Sequence, residues 1–362
     1  MKRQNYALIG CGRISANHIE AAIKHNLNIT ALCDISDSAA HILRDKYNLR
    51  NVNVYNDYKK MLDKENLDIV AIATDNGSHG SIALGCIRNN VNCIIEKPIA
   101  LSIKDCDEVI NETKKSNVKV AVCCQNRFNK SVQLVRKHIE NGSFGKLLNG
   151  AATVRWNRNR EYYDQAKWRG TWAFDGGAIM NQCIHNIDML QWMFAGAGSV
   201  AREVFAYTDR QTHDYIETED IGVAVIKFSN NAYGTLEGST NIYPSNYEET
   251  LCLFGTEGSV KIGGKSLNKI EHWQVKGSAE TPETLHVKFT EDPPNVYGFG
   301  HVPLYLDFIE AIAYDKTPYV SAREGKKSLE IVLAIYKSAM ENRPVKLPLS
   351  DVATVDFAGM FK

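Results

Sequence analysis

The N-terminal third of the chain alternates short, uniformly apolar runs with segments of helical period. The apolar runs lie at residues 6–9, 29–33, 68–74, 92–95 and 118–124. Uniformly apolar strands that are joined by helices are typical of a parallel sheet covered on both faces. The pattern therefore predicts an α/β domain whose ligands bind beyond the carboxyl ends of its strands.

The rest of the chain carries a different pattern. An alternating strand is predicted at 147–157, and short β patterns follow between 199 and 287 without intervening helices. Successive strands of this kind indicate a mainly antiparallel sheet. Helical periodicity returns at 302–314 and 324–341. Pro293-Pro294 lies in a stretch that we interpret as a loop.

The length of 362 residues is more than one hydrophobic core usually organises. We therefore predict an α/β Rossmann dinucleotide-binding domain at 1–126. An α+β domain with a large, open, mainly antiparallel sheet should follow at 127–362, with its C-terminal helices packing back on the first domain.

Charge and hydropathy exclude several classes of partner. Lys+Arg and Asp+Glu both number 42, so the net charge gives no reason to expect a nucleic acid. No apolar run reaches about 18 residues, and the N-terminal run enters a glycine turn, unlike a signal peptide. The nine cysteines form no CxxC pair. We expect a reduced, cytoplasmic protein with no membrane segment and no metal site.

The first apolar run enters a glycine turn, GCGRIS, at residues 10–15. Gly10 and Gly12 permit a tight turn and a close approach of the backbone to a pyrophosphate. Ser15 replaces the third glycine of the usual fingerprint, which weakens the bare motif. Asp34 follows the second apolar run, where a carboxylate binds the adenosine ribose hydroxyls and repels a 2′-phosphate. The sequence therefore predicts NAD rather than NADP.

Polar residues follow three later strands of the predicted parallel sheet, at 74–79, 96–98 and 125–127. Lys97 is singled out because Pro98 restricts its backbone and the strand end directs it at the expected cleft; the alternative is an ordinary solvated lysine. The predicted cofactor-binding residues are Gly10, Gly12, Arg13, Ile14, Asp34, Thr74, Asn76, His79, Glu96, Lys97 and Asn126.

The segment 168–190 joins a glycine pair to an apolar helical pattern. Asp175 precedes the glycines as a candidate N-cap of a helix. Asn181 and His185 are four residues apart and would project from one face of an α-helix. Either they serve a cleft, or the histidine is a buried residue that is hydrogen-bonded to a neighbour.

Residues 155–172 are rich in both cations and aromatic rings. Guanidinium groups suit pyrophosphate and carboxylate, and aromatic faces suit a base or a sugar. The alternative is a charged strand with aromatic residues at a subunit contact. The side chains in question are Arg155, Trp156, Arg158, Arg160, Tyr162, Tyr163, Lys167, Trp168, Arg169 and Trp172.

These motifs together resemble the glucose–fructose oxidoreductase/inositol dehydrogenase (Gfo/Idh/MocA) family. The resemblance covers essentially the whole chain and implies the two-domain architecture described above. It is carried by GCGRIS at 10–15, EKP at 96–98, the glycine pair at 176–177, and Asn181, His185 and Asp188.

Longer strings are similar to the UDP-N-acetylglucosaminuronic acid (UDP-GlcNAcA) 3-dehydrogenases of that family, which act in making diacetamido-mannuronic acid for surface polysaccharides. This similarity implies NAD-dependent oxidation of the sugar 3-hydroxyl. The strings are NRFN at 126–129, EYYD at 161–164, WRGTWAFDGGAIMNQ at 168–182, VYGFGH at 296–301 and REGKKSLE at 323–330.

The resemblance implies that Lys97, His185 and Asn181 are catalytic. His185, with an ordinary pKa near 6.5, suits a base at neutral pH. Lys97 can hold the same hydroxyl and share its proton, and which of the two is the formal base stays open. Asn181 stands where the family pattern has Asp or Asn, and unlike Asp it can orient groups but cannot take a proton. The predicted substrate-binding residues are Arg127, Arg160, Tyr162, Tyr163, Trp168, Arg169, Trp172, Asn181, Gln182 and His185.

The same resemblance implies a UDP-sugar as partner and a homotetramer. Some relatives reoxidise their NADH with 2-oxoglutarate, and the sequence leaves open whether this chain does so or releases NADH. Three alternatives remain: another sugar or inositol dehydrogenase, an NAD-using glycosidase that forms no net NADH, and a non-catalytic NAD-binding regulator.

Overall fold

The computed structural model describes residues 3–289, 292–293 and 296–361, so Pro294 of the predicted loop lies outside the described residues. The chain divides into two compact units. The first lies within 1–124 and 301–326, and the second within 125–300 and 327–362. The segment 301–326 thus belongs to the first unit, whereas the sequence analysis assigned it to the second domain as returning helices.

The strands are β1 (Asn5–Ile9), β2 (Asn28–Cys33), β3 (Asn53–Tyr55), β4 (Ile69–Ile72), β5 (Asn92–Ile95), β6 (Val120–Val122), β7 (Leu147–Arg155), β8 (Ala201–Asp209), β9 (Ile221–Phe228), β10 (Tyr233–Ser239), β11 (Glu248–Gly255), β12 (Gly258–Gly263), β13 (Lys269–Val275) and β14 (Val345–Lys346). The α-helices are α1 (Ser15–Lys24), α2 (Asp37–Lys46), α3 (Tyr58–Lys64), α4 (His79–Arg88), α5 (Ile103–Lys115), α6 (Lys130–Glu140), α7 (Arg160–Asp164), α8 (Ile184–Gly196), α9 (Pro282–Lys288), α10 (His301–Ala313) and α11 (Ala322–Glu341).

The first unit is built on a six-stranded parallel sheet with the order β3-β2-β1-β4-β5-β6. The order reverses between β1 and β4, which is where sheets of this kind bind their ligands. The apolar runs that predicted these strands are buried: Tyr6, Ala7 and Leu8 of β1 are each 0% exposed. The predicted Rossmann fold is confirmed.

Gly10 ends β1 with a φ of +93°, a region that favours glycine. A Cβ there would lie 2.3 Å from the carbonyl oxygen of Ala73. We therefore expect Gly10→Ala to destabilise the protein by at least about 1–3 kcal/mol in urea unfolding.

Gly12→Ala is the matched control for Gly10→Ala, because no described atom lies within 4 Å of a Cβ at Gly12. It should leave the free energy of unfolding nearly unchanged and weaken NAD binding, since the backbone is expected to approach the pyrophosphate there. Equal stability losses for the two variants would contradict this interpretation of the turn.

The second unit contains an eight-stranded sheet with the order β13-β12-β11-β7-β10-β9-β8-β14. Its strand pairs are antiparallel except β7 with β10. The mainly antiparallel open sheet predicted from the sequence is confirmed. Helix α8 packs on β7 and β11 on one face of this sheet.

The other face of this sheet exposes apolar side chains, because the strands alternate between buried and exposed positions. Val223 is 49% exposed, Tyr207 63% and Tyr233 50%. Such a face suits a subunit contact, but the homotetramer stays a prediction. None of the described helices combines the length and apolar character needed to span a membrane. All nine cysteines are free, and eight of them are buried.

Candidate active site

The glycine turn and the acid after β2 are joined directly in the first unit. The backbone N–H of Cys11 donates to Asp34 Oδ2 at 2.7 Å, and the N–H of Ser36 donates to Asp34 Oδ1 at 2.8 Å. Asp34 is therefore fixed beside the turn. Ser15 occupies the place of the third glycine without disrupting the motif, because its hydroxyl donates to Gly12 O at 2.6 Å.

The segment after β4 leads to His79, which is the first residue of α4 and is 1% exposed. Its Nδ1 donates to the carbonyl oxygen of Pro98 at 2.7 Å. Burial lowers the pKa of His79, so the ring is neutral and Nε2 is an acceptor. That buried Nε2 has no hydrogen-bond partner among the described residues.

The side chains and turn of the first unit fit a dinucleotide. Gly12 and Arg13 are exposed at the start of α1, where backbone N–H groups suit a pyrophosphate. Asp34 suits the ribose hydroxyls, and the unpartnered Nε2 of His79 suits a donor on the cofactor. The predicted cofactor-binding residues Ile14, Thr74, Asn76, Glu96 and Lys97 also belong to this unit, whereas Asn126 belongs to the second.

Asn181 and His185 lie in the second unit, Asn181 in a turn that is not α-helical and His185 in the first turn of α8. Residues Ile179–Cys183 form a π-helical turn, and α8 begins at Ile184. The prediction of a continuous α-helix was therefore wrong at this point. Turns of this kind are frequently found at functional sites.

Side chains distant in sequence bind the N–H groups of the π-helical turn. The N–H of Ile179 donates to Glu219 Oε1 at 2.7 Å, and the N–H of Met180 donates to Tyr336 Oη at 3.1 Å. Tyr336 in turn donates to Glu219 Oε1 at 2.7 Å. The glycine pair permits this approach: Gly177 has a φ of +102°, and a Cβ there would lie 2.2 Å from Glu219 Oε2.

Asp175 is not the N-cap that the sequence predicted. Its Oδ1 accepts a hydrogen bond from Asn181 Nδ2 at 2.5 Å, and its Oδ2 accepts one from the N–H of Gly170 at 2.6 Å. Asp175 therefore fixes the side-chain amide of Asn181 instead of capping the helix.

Glu219 is completely buried, and this burial raises its pKa to about 8. The folded protein therefore holds the proton of Glu219 at pH 7, whereas a glutamic acid in the unfolded chain has lost it. The stability that this group contributes is fully present below pH 4.5 and is lost as the pH rises to 8, by about 1.4 kcal/mol per unit.

We expect Glu219→Gln to remove this pH dependence. The free energy of unfolding of the variant, measured in urea from pH 5 to 8, should rise relative to the original protein by about 1.4 kcal/mol per unit. Glu217→Gln is the control for removing a neighbouring carboxyl group: Glu217 is exposed and accepts the backbone N–H of Trp172 at 3.1 Å. A parallel profile for Glu219→Gln would show that Glu219 is ionised in the fold.

Two arginines and three aromatic rings meet in the second unit. The Arg158 guanidinium lies 4.8 Å from the Trp156 ring centroid and 5.1 Å from that of Tyr162. Arg169 lies 4.1 Å from the Tyr162 ring and 4.7 Å from the Trp168 ring. We call these five residues together with Gln182 the Arg158–Arg169 cluster.

Gln182 connects the two sides of the Arg158–Arg169 cluster. Its Oε1 accepts from Arg158 Nη2 at 2.8 Å, and its Nε2 donates to Tyr162 Oη at 3.0 Å. Burial raises the pKa of the nearby Glu249 to about 8, although the Arg158 charge opposes this rise. Because Glu249 is mainly protonated at neutral pH, it does not neutralise the arginines.

The structure thus brings together four predicted substrate-binding residues, Tyr162, Trp168, Arg169 and Gln182. Arg160 is not part of the cluster: it is exposed, its guanidinium lies 4.9 Å from the Tyr215 ring centroid, and its Nε lies 3.7 Å from Asp164 Oδ2. Arg155 binds Glu237 and Glu248 across the sheet. Arg158 was noted in the sequence but was not among the predicted substrate-binding residues. The sequence feature that could have identified Arg158 is its position two residues after Trp156.

Three other predicted substrate-binding residues lie in the interior of the second unit. Trp172 is 1% exposed and packs edge-on against Tyr336. Tyr163 is 7% exposed and packs against other rings. Arg127 is 0% exposed and pairs with Asp188, with Nε–Oδ2 at 2.7 Å and Nη2–Oδ1 at 2.6 Å. These positions assign the three residues to the core of the second unit, and their predicted substrate contacts stay a prediction.

Comparison with protein-family models accounts for nearly all of the chain. Residues 4–124 match the NAD-binding Rossmann fold of the Gfo/Idh/MocA oxidoreductase family. Residues 136–347 match the C-terminal alpha/beta domain of the same family. The chain belongs to the Gfo/Idh/MocA family. Its relatives include dehydrogenases of sugars and polyols, and the predicted cofactor, NAD, is confirmed.

Two solved structures are similar over their whole length. The WlbA dehydrogenase from Bordetella pertussis, in complex with NADH and UDP-GlcNAcA, is 31% identical with a TM-score of 0.87, covering 97% of this chain and 99% of the other. The WlbA dehydrogenase from Chromobacterium violaceum, in complex with the same two ligands, is 33% identical with a TM-score of 0.86, covering 97% of each chain. Myo-inositol 2-dehydrogenase from Thermotoga maritima is 24% identical over 345 residues, covering 94% of this chain and 97% of that protein.

Proposed function

We propose that the protein oxidises the 3-hydroxyl of UDP-GlcNAcA to a UDP-3-keto sugar with NAD as the hydride acceptor. The observation that carries this proposal is the Arg158–Arg169 cluster, in which two guanidinium groups lie against aromatic rings. Such a surface suits the pyrophosphate, the carboxylate and the uracil ring of a UDP-uronic acid. The ligands of the two WlbA dehydrogenases support the same substrate class.

The chemistry requires two transfers from one carbon–oxygen centre. When bound, NAD takes the hydride from the carbon, and the hydroxyl proton must go to a base. We assign that proton to His185 and Lys97 acting on the same oxygen, with either of them as the formal base. Asn181 orients the sugar or His185, and the hydrogen bond from its amide to Asp175 fixes its direction.

The remaining assignments concern the reaction partners. The 3-keto product has the carbonyl group that an aminotransferase requires. NADH is then either released or reoxidised in place by 2-oxoglutarate, and we expect the active form to be a cytoplasmic homotetramer. Analytical ultracentrifugation and assays with and without 2-oxoglutarate distinguish these cases.

Two other functions compete with this proposal. A dehydrogenase for a free sugar or inositol would have no pyrophosphate or uracil to bind, so the Arg158–Arg169 cluster would serve no ligand. A glycosidase that uses NAD catalytically would cleave its sugar and form no net NADH. Turnover of a polyol, or cleavage without NADH, would select one of these.

Uridine nucleotides test the substrate class without turnover. At 100 times its dissociation constant, UDP should stabilise the protein by about 2.7 kcal/mol in thermal unfolding. Arg158→Gln and Arg169→Gln should each lose most of this stabilisation, because each removes a guanidinium charge from the cluster. Arg160→Gln is the control and should retain it, since Arg160 is exposed and lies beside Asp164. The absence of any shift with UDP or UDP-sugars would count against the proposal.

A further inference from the structure

A buried group of titratable side chains surrounds Glu96 in the first unit. Glu96 follows β5 directly and is 7% exposed. Its Oε1 lies 3.1 Å from Nε2 of His18 in α1 and 3.2 Å from Nε2 of His301 in α10. Its Oε2 accepts the backbone N–H of Lys97 at 3.3 Å. The carboxylate therefore connects two histidines to the backbone of the proposed catalytic lysine.

The hydrogen bonds around His18 fix its proton on one nitrogen. Burial lowers the pKa of His18, so the ring is neutral. Its Nδ1 lies 2.7 Å from Tyr305 Oη, which lies 2.9 Å from Tyr6 Oη. Because the Glu96 carboxylate can only accept, the ring proton is on Nε2 and is donated to Glu96. Nδ1 then accepts from Tyr305 Oη, which in turn accepts from Tyr6 Oη.

For His301 the hydrogen-bond geometry alone supplies the argument. Its Nε2 faces Glu96, while its buried Nδ1 has no hydrogen-bond partner among the described residues. A second proton on Nδ1 would therefore be a buried donor without an acceptor, which is unfavourable. Burial alone raises the pKa of Glu96, but the hydrogen bonds from His18 and His301 outweigh this effect and hold the pKa well below its usual value.

The group around Glu96 therefore carries one net negative charge. Cys123, at the end of β6, donates its thiol to Glu96 and stays protonated because burial raises its pKa well above the usual value. His79 of α4 is neutral, and Tyr305 is protonated, because burial lowers the pKa of the first and raises that of the second.

Lys97 lies within electrostatic reach of this group. Burial is the main cause of the lowered pKa of His79, and the charge of Lys97 lowers that pKa further. Burial and the charge of Glu96 raise the pKa of Cys123, and the charge of Lys97 lowers it. The carboxylate of Glu96 and the ammonium of Lys97 thus act on the same neighbours with opposite signs.

A metal ion is the competing explanation for these side chains. The ligand atoms of His18, Glu96, Cys123 and His301 lie within 4.8 Å of one another, and such a set suits zinc. However, both Nε2 atoms lie at hydrogen-bonding distance from the same carboxylate oxygen, and the tyrosine chain accounts for the other nitrogen of His18. The hydrogen-bonded arrangement therefore explains more of the geometry.

We propose that Glu96, held as a carboxylate by His18 and His301, is a positioning residue for Lys97. Its negative charge keeps Lys97 in the ammonium form, and its Oε2 fixes the backbone from which Lys97 projects. An ammonium at this position donates a hydrogen bond to the oxygen of the substrate hydroxyl. Only the hydrogen bond from Lys97 to the substrate hydroxyl rests on the proposed function.

The pH dependence of Lys97 acetylation tests the proposal without requiring turnover. The full chain with bound NAD is treated with acetic anhydride, and the Lys97 peptide is quantified by mass spectrometry. In Glu96→Gln, the midpoint of Lys97 labelling should fall by about one to three pH units, because the neighbouring negative charge is lost. Glu108→Gln is the control: Glu108 pairs with Arg88 on the surface, and its loss should leave the midpoint unchanged. An unchanged midpoint in Glu96→Gln would overturn the proposal.

The unmodified protein provides a second test in case Glu96→Gln does not fold. ¹⁵N NMR of the histidine side chains at pH 7 should show His18 and His301 as neutral rings with their proton on Nε2. A doubly protonated ring, an Nδ1–H tautomer, or one equivalent of zinc in the purified protein would overturn the proposal. A labelling shift in a protein that oxidises none of the UDP-sugars would remove the proposed function while the effect of Glu96 on Lys97 stands.

Discussion

Replacing Lys97 with alanine should lower kcat for UDP-GlcNAcA oxidation by about 10²- to 10⁴-fold, the usual contribution of a group that transfers or holds the reacting proton. His185→Asn should have an effect of similar size, because asparagine fills part of the same space without accepting a proton. Both effects are measured as initial rates of NADH formation at saturating NAD.

The thermal stability and the NAD affinity of each variant show whether its lower kcat comes from lost chemistry or from a damaged fold. Both variants should keep the thermal midpoint of the original protein within a few degrees, since Lys97 and His185 are only half-buried. The exposed Lys104 of α5 is the control, and Lys104→Ala should retain full activity. If Lys97→Ala and His185→Asn both unfolded, a structural role would replace the catalytic one. A kcat within tenfold of the original value would remove the residue concerned from the mechanism.

Asp188→Asn should destabilise the protein by about 3–5 kcal/mol, because it leaves the Arg127 charge buried without its carboxylate partner. Arg127 and Asp188 are 0% and 1% exposed, and their side chains form two short hydrogen bonds. The Arg127 guanidinium also lies 5.1 Å from the Trp192 ring. Urea unfolding at pH 7 measures the loss.

The exposed pair Arg160–Asp164 is the control for this measurement, and Asp164→Asn should change stability by less than about 1 kcal/mol. The experiment also separates two roles of Arg127. If Arg127 bound the substrate, as its place in the sequence suggested, Asp188→Asn would chiefly raise KM while stability changed little. A loss below about 1 kcal/mol would contradict the structural role.

Local patterns were sufficient for the first unit. Uniformly apolar runs identified its strands, and the glycine turn with Asp34 identified the dinucleotide site, because both signals depend on residues near one another in sequence. The hydrogen bond from Cys11 to Asp34 joins those two elements at neighbouring strands. In the second unit, the alternation in β7 and β9 likewise predicted strands with one buried face.

Contacts between distant residues were the part that the sequence did not predict. The π-helical turn at Ile179–Cys183 depends on Glu219 and Tyr336, which no local pattern connects to it. His18 and His301 meet at Glu96 although 283 positions separate them (301 − 18).

Residue type alone also failed to distinguish a residue of the Arg158–Arg169 cluster from a residue of the core. Trp168 belongs to the Arg158–Arg169 cluster, whereas Trp172, four residues later, is buried among aromatic rings. Both are tryptophans in one basic and aromatic stretch, so the sequence analysis predicted the same role for both. Only the packing of Tyr336 and Phe357 around Trp172 distinguishes them.

The most direct test of the account is an assay of the purified protein with UDP-GlcNAcA, NAD and 2-oxoglutarate, with the products identified by mass spectrometry. We expect the nucleotide sugar to lose two hydrogens while NADH or 2-hydroxyglutarate is formed. An unchanged nucleotide sugar, in a protein shown to hold NAD, would contradict the proposed substrate and leave a dehydrogenase of another sugar or polyol.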